Sequence, residues 1–123
     1  MVLALAIGLA MAVLSSCSGG GEPSGGGGEV SPDGVLSAEL SEFEIAGNLV
    51  TVPGEVTIDV ENVGFIVHNL IVMDKARTSD LDSGASEVLD VGILAEGTYR
   101  IICDIPGHLE AGMETTLVVV ADD

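Results

Sequence analysis

Glu55-Val56-Thr57-Ile58-Asp59-Val60-Glu61 sets Val56, Ile58 and Val60 against two glutamates, an aspartate and a threonine. A two-residue period with β-branched residues on one side marks a strand with one dry and one wet face. Turn-forming residues bracket it, Pro53-Gly54 before and Asn62-Val63-Gly64 after. Upstream, Leu36, Ala38 and Leu40 keep the same period, whereas Phe43 and Ile45 fall out of phase, which predicts a bulge or break near Ser41. Residues 66–73 read as a more buried strand with Ile66, His68, Leu70 and Val72 on one side. Glu96-Gly97-Thr98 introduces another, on which Tyr99, Ile101 and Cys103 share a face, and residues 114–120 supply a last one. Residues 48–52 and 87–93 give two weaker strands. About seven to eight short strands between turn signals predict an all-β Greek-key sandwich or barrel. Residues 74–86 form the one long polar connection, and no helical period or internal repeat competes.

Composition agrees. In a chain of 123 residues, an apolar leader and a glycine-rich stretch leave residues 30–123, enough for one small domain. Phe43, Phe65 and Tyr99 are its only aromatics, so the core must be built from Val, Ile and Leu. The formal net charge is −17, with Lys75, Arg77 and Arg100 set against 20 acidic residues, and such a surface repels phosphates. Nucleic acid is excluded as a partner. The acidity suits solubility or high salt, and equally the steering of a basic partner.

Residues 1–14 are almost wholly apolar, about the length of a signal-peptide core and shorter than the ~20 residues that span a bilayer. The segment 1–16 is therefore expected to be an export signal, although no Lys or Arg precedes the apolar run. It ends in Leu14-Ser15-Ser16-Cys17, which resembles the lipobox of bacterial lipoproteins and makes Cys17 the expected lipidation site. The glycine-rich residues up to 29 then form a flexible tether holding the domain near a membrane outside the cytoplasm. A disulfide between Cys17 and Cys103 is the simplest alternative for two cysteines, and their contexts argue against it.

The chemistry lies in Cys103-Asp104-Ile105-Pro106-Gly107-His108-Leu109-Glu110-Ala111-Gly112-Met113. One strand end, one loop and the start of the next strand offer a thiolate, an imidazole and a thioether. The one other histidine is His68. A cysteine and two histidines in a plane, with a weak axial methionine, form the ligand set of blue-copper electron-transfer sites. Taken singly, His68 reads as a hydrogen-bonded core histidine and Met113 as a core filler. Together the four residues use every histidine of the chain and its one cysteine outside the leader. A lipidated Cys17 would leave Cys103 an unpaired thiol in an oxidising compartment, which copper ligation explains. Zinc is disfavoured, because structural zinc sites take four donors from Cys and His.

The run Cys-x-x-Pro-Gly-His ending in Gly-Met, with the distant pair His68-Asn69, resembles the cupredoxins azurin, auracyanin and plastocyanin. The resemblance spans residues 36–120 and includes Val52-Pro53-Gly54, His68-Asn69-Leu70 and Gly97-Thr98-Tyr99. It implies one copper ion, Cu(I)/Cu(II), with His68, Cys103 and His108 in the plane and Met113 as a long axial contact. It further implies that Asn69 ties the two ligand loops together and turns its backbone N–H toward the Cys103 sulfur. Ile105, where a proline would have none, keeps an N–H for a second such bond. Val67 replaces the glycine whose carbonyl approaches copper in azurin, so no fifth ligand is expected.

The function so implied is that of a monomeric one-electron carrier between redox partners outside the cytoplasm, such as a basic c-type cytochrome or a membrane oxidase or reductase. His108 would be the electron port, ringed by Pro106, Leu109, Ala111 and Gly112 with Phe65. Asp104 and Glu110 are either solvated loop residues or part of the docking face. The same ligands could instead serve copper storage or delivery. The chain is not expected to be an enzyme: a copper oxidase or nitrite reductase needs further histidines, and a Cys103–His108 nucleophile pair would leave Met113 without a role.

Overall fold

The computed structural model describes residues 29–121; the expected leader, the lipidation residue Cys17 and the tether as far as residue 28 lie outside the described residues. Nine strands run through the described part: β1 (Val35–Ser41), β2 (Glu44–Ala46), β3 (Val50–Thr51), β4 (Gly54–Asn62), β5 (Ile71–Val72), β6 (Ala76–Arg77), β7 (Ser86–Leu94), β8 (Gly97–Ile102) and β9 (Glu114–Val119). They form two sheets, β2-β1-β4-β7 and β3-β9-β8-β5-β6, which is the all-β sandwich expected, with more and shorter strands.

The alternating heptapeptide lies in β4, where Val56, Ile58 and Val60 are wholly buried and Glu55, Asp59 and Glu61 are exposed. β1 lies parallel to β4 with Leu36 opposite Ile58 and Ala38 opposite Val60. That register puts the dry sides of both strands on one face, where they pack with Ile101 and Leu117 of the other sheet. The core is aliphatic, as the scarcity of aromatics requires. The antiparallel pair β4–β7 shifts register between Val56 and Thr57, and Gly92 on the bulged strand takes a φ of 91°, a conformation natural to glycine.

Two sequence expectations change. The phase break near Ser41 is the turn of a hairpin: Ser41 pairs with Glu44, leaving Glu42 and Phe43 as a two-residue connection between β1 and β2. The continuous strand expected over residues 66–73 shrinks to β5, and Ile66, expected to point inward, is 43% exposed. The physical reason is a substitute for the ladder. The wholly buried Asn62 side chain donates to the carbonyls of Ile66 and Leu81, each at 2.8 Å, and accepts the Gly64 amide at 2.9 Å. These bonds satisfy the backbone without a neighbouring strand. Among the described residues, 74–86 hold no helix, only β6, an isolated bridge between His68 and Leu81 and the first residue of β7.

Candidate metal centre

β8 and β9 pair antiparallel up to Ile102 opposite Glu114. Cys103 and Met113 are the next residues on each side, and the Cys103 amide still donates to the Met113 carbonyl at 3.2 Å. Residues 104–112 are thus the loop of a hairpin whose last two facing residues carry sulfur. Within that loop the His108 amide donates to the Ile105 carbonyl at 3.0 Å, and the His108 carbonyl accepts from Ala111 and Met113, each at 3.1 Å. This coil of short-range bonds turns His108 back over Cys103. Asp104 is exposed, as a solvated loop acid would be, yet its side chain also bonds Asn69 and Arg77.

His68 arrives from the other side of the site. Its backbone exchanges two hydrogen bonds with Leu81, at 3.1 and 2.8 Å. Next to it, Asn69 is buried and works in three directions: Nδ2 donates to Asp80 at 3.0 Å and to Asp104 at 2.7 Å, while Oδ1 accepts the Asp104 amide at 3.0 Å. Asn69 therefore ties the His68 segment to the Cys103 loop. Among the described residues, no hydrogen bond runs from the Asn69 or Ile105 amide to the Cys103 sulfur. Ile105 contributes through its carbonyl instead, as above.

The side chains converge. His68 and Cys103 are wholly buried, His108 is 7% exposed, and their donor atoms all lie within 4.8 Å of one another. His68 Nδ1 stands 3.2 Å from His108 Nδ1, which stands 3.5 Å from Cys103 Sγ. Metal bonds of about 2.0–2.1 Å to imidazole and about 2.3 Å to thiolate place donors on a shared ion roughly 3–4 Å apart. The observed spacings fit one ion. Met113 is wholly buried and belongs to the same core cluster as Cys103. No fourth histidine or cysteine donor joins the group among the described residues, so the soft His2CysMet set suits one type 1 copper ion rather than structural zinc. Cys103 is a free, buried cysteine.

Electrostatics favour ligation. Burial first, and the neighbouring His68 second, hold the His108 pKa below the ordinary imidazole range, which keeps its lone pair available. The Asp104 carboxyl lies below its usual value, chiefly through Asn69 and then Arg77. Glu42 is lowered first by the Phe65 amide and then by His68. Its Oε1 lies 3.2 Å from His68 Nε2, while the other ring nitrogen of His68, Nδ1, faces His108 Nδ1. Phe43, its neighbour in the turn, sets its ring edge-on to His108 with centroids 5.3 Å apart. Neither Glu42 nor Phe43 stands out in the sequence as a site residue. The phase break near Ser41 was the one local signal, and it locates a turn without saying what the turn touches.

The sulfocyanin (SoxE) domain matches residues 42–122. The chain belongs to the sulfocyanin family. Glu42, the first residue of the match, is therefore a sulfocyanin-domain residue, and the metal centre lies wholly inside that domain. Solved structures agree on the fold. The reduced auracyanin of Roseiflexus castenholzii is 18% identical, with a TM-score of 0.63 over 73% of this chain and 99% of that one. Auracyanin A of Chloroflexus aurantiacus is 22% identical, with a TM-score of 0.58 over 70% and 99%. An azurin of Methylomonas sp. strain J is 17% identical, with a TM-score of 0.60 over 74% and 99%. No curated protein sequence matches the chain. This sulfocyanin domain is thus a cupredoxin sandwich, and its His2CysMet cluster is consistent with a blue-copper electron carrier.

Proposed function

We propose that the protein is a blue-copper one-electron carrier working outside the cytoplasm, held at a membrane by a lipid on Cys17. The observation that carries the copper reading is the convergence of His68, Cys103 and His108 in a buried site at spacings that fit one ion. Copper, when bound, would supply the Cu(I)/Cu(II) couple. The chain supplies rigidity. Cys103 is locked into the β8–β9 register, His108 into its loop and His68 into its bridge with Leu81, so the donors need not move between oxidation states.

His108 is the route outward. It is the one nitrogen donor with any exposed surface, and the apolar residues around it include Phe43, 44% exposed, with Pro106 and Ala111 exposed nearby. Phe65, 88% exposed, extends the apolar end. Phenylalanine is among the residues most often buried, so the exposure of both phenylalanines at this end supports a docking surface. The chain's three cations are each engaged: Arg77 with Asp104, Arg100 with Glu114, and Lys75 over the Tyr99 ring. With the cations so engaged, the chain's net charge of −17 supports a basic redox partner such as a c-type cytochrome, or a membrane oxidase or reductase with a basic docking site.

Copper loading of the full chain tests the carrier reading: we expect an intense visible band that bleaches on reduction and returns on oxidation. A protein without that band is not a blue-copper carrier, and one that holds Cu(I) without reversible oxidation serves storage or delivery. The partner reading predicts that electron transfer to a basic cytochrome slows as salt rises, because the Debye length falls from about 30 Å at 0.01 M to about 3 Å at 1 M. Stopped-flow rates flat across that range would remove the steering role. Fatty-acid labelling that leaves Cys17 unmodified would remove the anchor alone.

A further inference from the structure

Glu42 gathers three donors on one carboxylate oxygen: the Phe65 amide at 2.7 Å, the Ile66 amide at 3.3 Å and His68 Nε2 at 3.2 Å. His68 turns its other nitrogen, Nδ1, toward His108 Nδ1. With Nδ1 given to the metal position, the ring keeps its one proton on Nε2, where it faces the carboxylate. A metal-bound histidine commonly passes its second N–H to a carbonyl, a water or a carboxylate. Of these, only the carboxylate brings a charge.

The local structure is shaped around this contact. Phe43 holds a φ of 66°, in the left-handed region that bulky residues rarely adopt, and backbone outliers of this kind collect at functional sites. The outlier closes the two-residue turn that presents Glu42 to His68 and Phe43 to His108. On the far side of the carboxylate is Gly64, where a Cβ would sit on Glu42 Oε1 and come within 3.1 Å of Glu42 Cδ. Only a residue without a side chain leaves the carboxylate its place.

We propose that Glu42 is a positioning residue for the copper centre: carried on the β1–β2 turn, its carboxylate orients His68 and, as a negative charge one imidazole away from the metal position, favours Cu(II) over Cu(I). The proposal rests on the copper-carrier reading. A charge so placed stabilises the more positive oxidation state and lowers the reduction potential.

The test is the reduction potential of the copper-loaded full chain in three variants. Glu42→Gln keeps an oxygen for the two amides and removes the charge. Gly64→Ala removes no charge but displaces the carboxylate, its Cβ also coming within 3.1 Å of the Ser41 Cα. Glu44→Gln removes an exposed charge two residues away that makes no bond to His68 and serves as the control. In Glu42→Gln the preference for Cu(II) over Cu(I) falls about tenfold, the lower end of outer-shell effects, which is a rise of about 59 mV for one electron. Gly64→Ala shifts the potential the same way, and Glu44→Gln barely moves it. The visible band persists in all three, since Cys103 is untouched. If Glu42→Gln fails to fold, Gly64→Ala carries the test. A potential that falls, or that moves no further than in the Glu44→Gln control, overturns the proposal. A wild-type protein without the visible band overturns the carrier reading itself, so the two failures are distinguishable.

Discussion

Cys103→Ser is expected to give a folded protein whose Cu(II) form lacks the intense visible band altogether. The thiolate is the one strongly donating sulfur in the cluster, and charge transfer from it to Cu(II) is the source of the colour. Serine is close in size and enters a wholly buried position whose backbone stays held by the Met113 carbonyl. The fold should therefore survive. His68 and His108 still offer imidazole, so Cu(II) binds more weakly and without colour, while affinity for Cu(I) falls further because the soft donor is gone. Visible and electron paramagnetic resonance spectra of the copper-loaded variant, with far-ultraviolet circular dichroism as the check on folding, read the outcome. A band that survives in a folded Cys103→Ser protein would place the chromophore elsewhere and dissolve the assignment.

Asn69→Ala should damage both stability and copper binding, because one buried side chain joins three segments. Its removal strips the acceptor from the Asp104 amide and the donor from Asp80 and Asp104 together. Asp104 retains Arg77 and partial exposure, so water makes good part of the loss there. The unpaired amide is the larger cost; because that bond is only part-buried, its loss lies toward the lower end of the about 1–3 kcal/mol that an unsatisfied buried donor costs. In a domain of this size each kcal/mol lowers Tm by roughly 4–8 °C. Loosening the Cys103 loop against His68 should also weaken copper binding about 10–100-fold, the usual range for changes around a metal site. Thermal unfolding of the copper-free chain and a competitive copper titration measure the two effects. Unchanged values in both would mean that the β8–β9 ladder holds the loop without Asn69.

Much of this architecture is legible locally, and particular residues show where legibility stops. Val56, Ile58 and Val60 announce β4, and Leu36, Ala38 and Leu40 announce β1, because alternation along a strand records which face is dry. Ile66 misleads for the same reason. Its pattern fits an inward strand face, but Asn62 satisfies that backbone by side-chain bonds, and a residue need not alternate where no ladder forms. Asp104 could be taken for a solvated loop acid, because nothing in its neighbours along the chain foretells Asn69, 35 positions away.

The ligand set was fixed by sequence alone, since three of its members sit within one hairpin and the fourth is the only other histidine. The aliphatic core and the strand character likewise follow from composition and period, which are properties of the chain before it folds. What surrounds the ligands was decided only in three dimensions. The chain carries 20 acidic residues, and sequence makes each as plausible a neighbour for His68 as any other. Among the described residues, the one that reaches it, Glu42, lies 26 positions away and depends on where a two-residue turn falls, on the φ of Phe43 and on the missing side chain of Gly64. Residue types and short-range period are written in the order of the chain, whereas a contact between distant segments exists only once strand pairing has set their register.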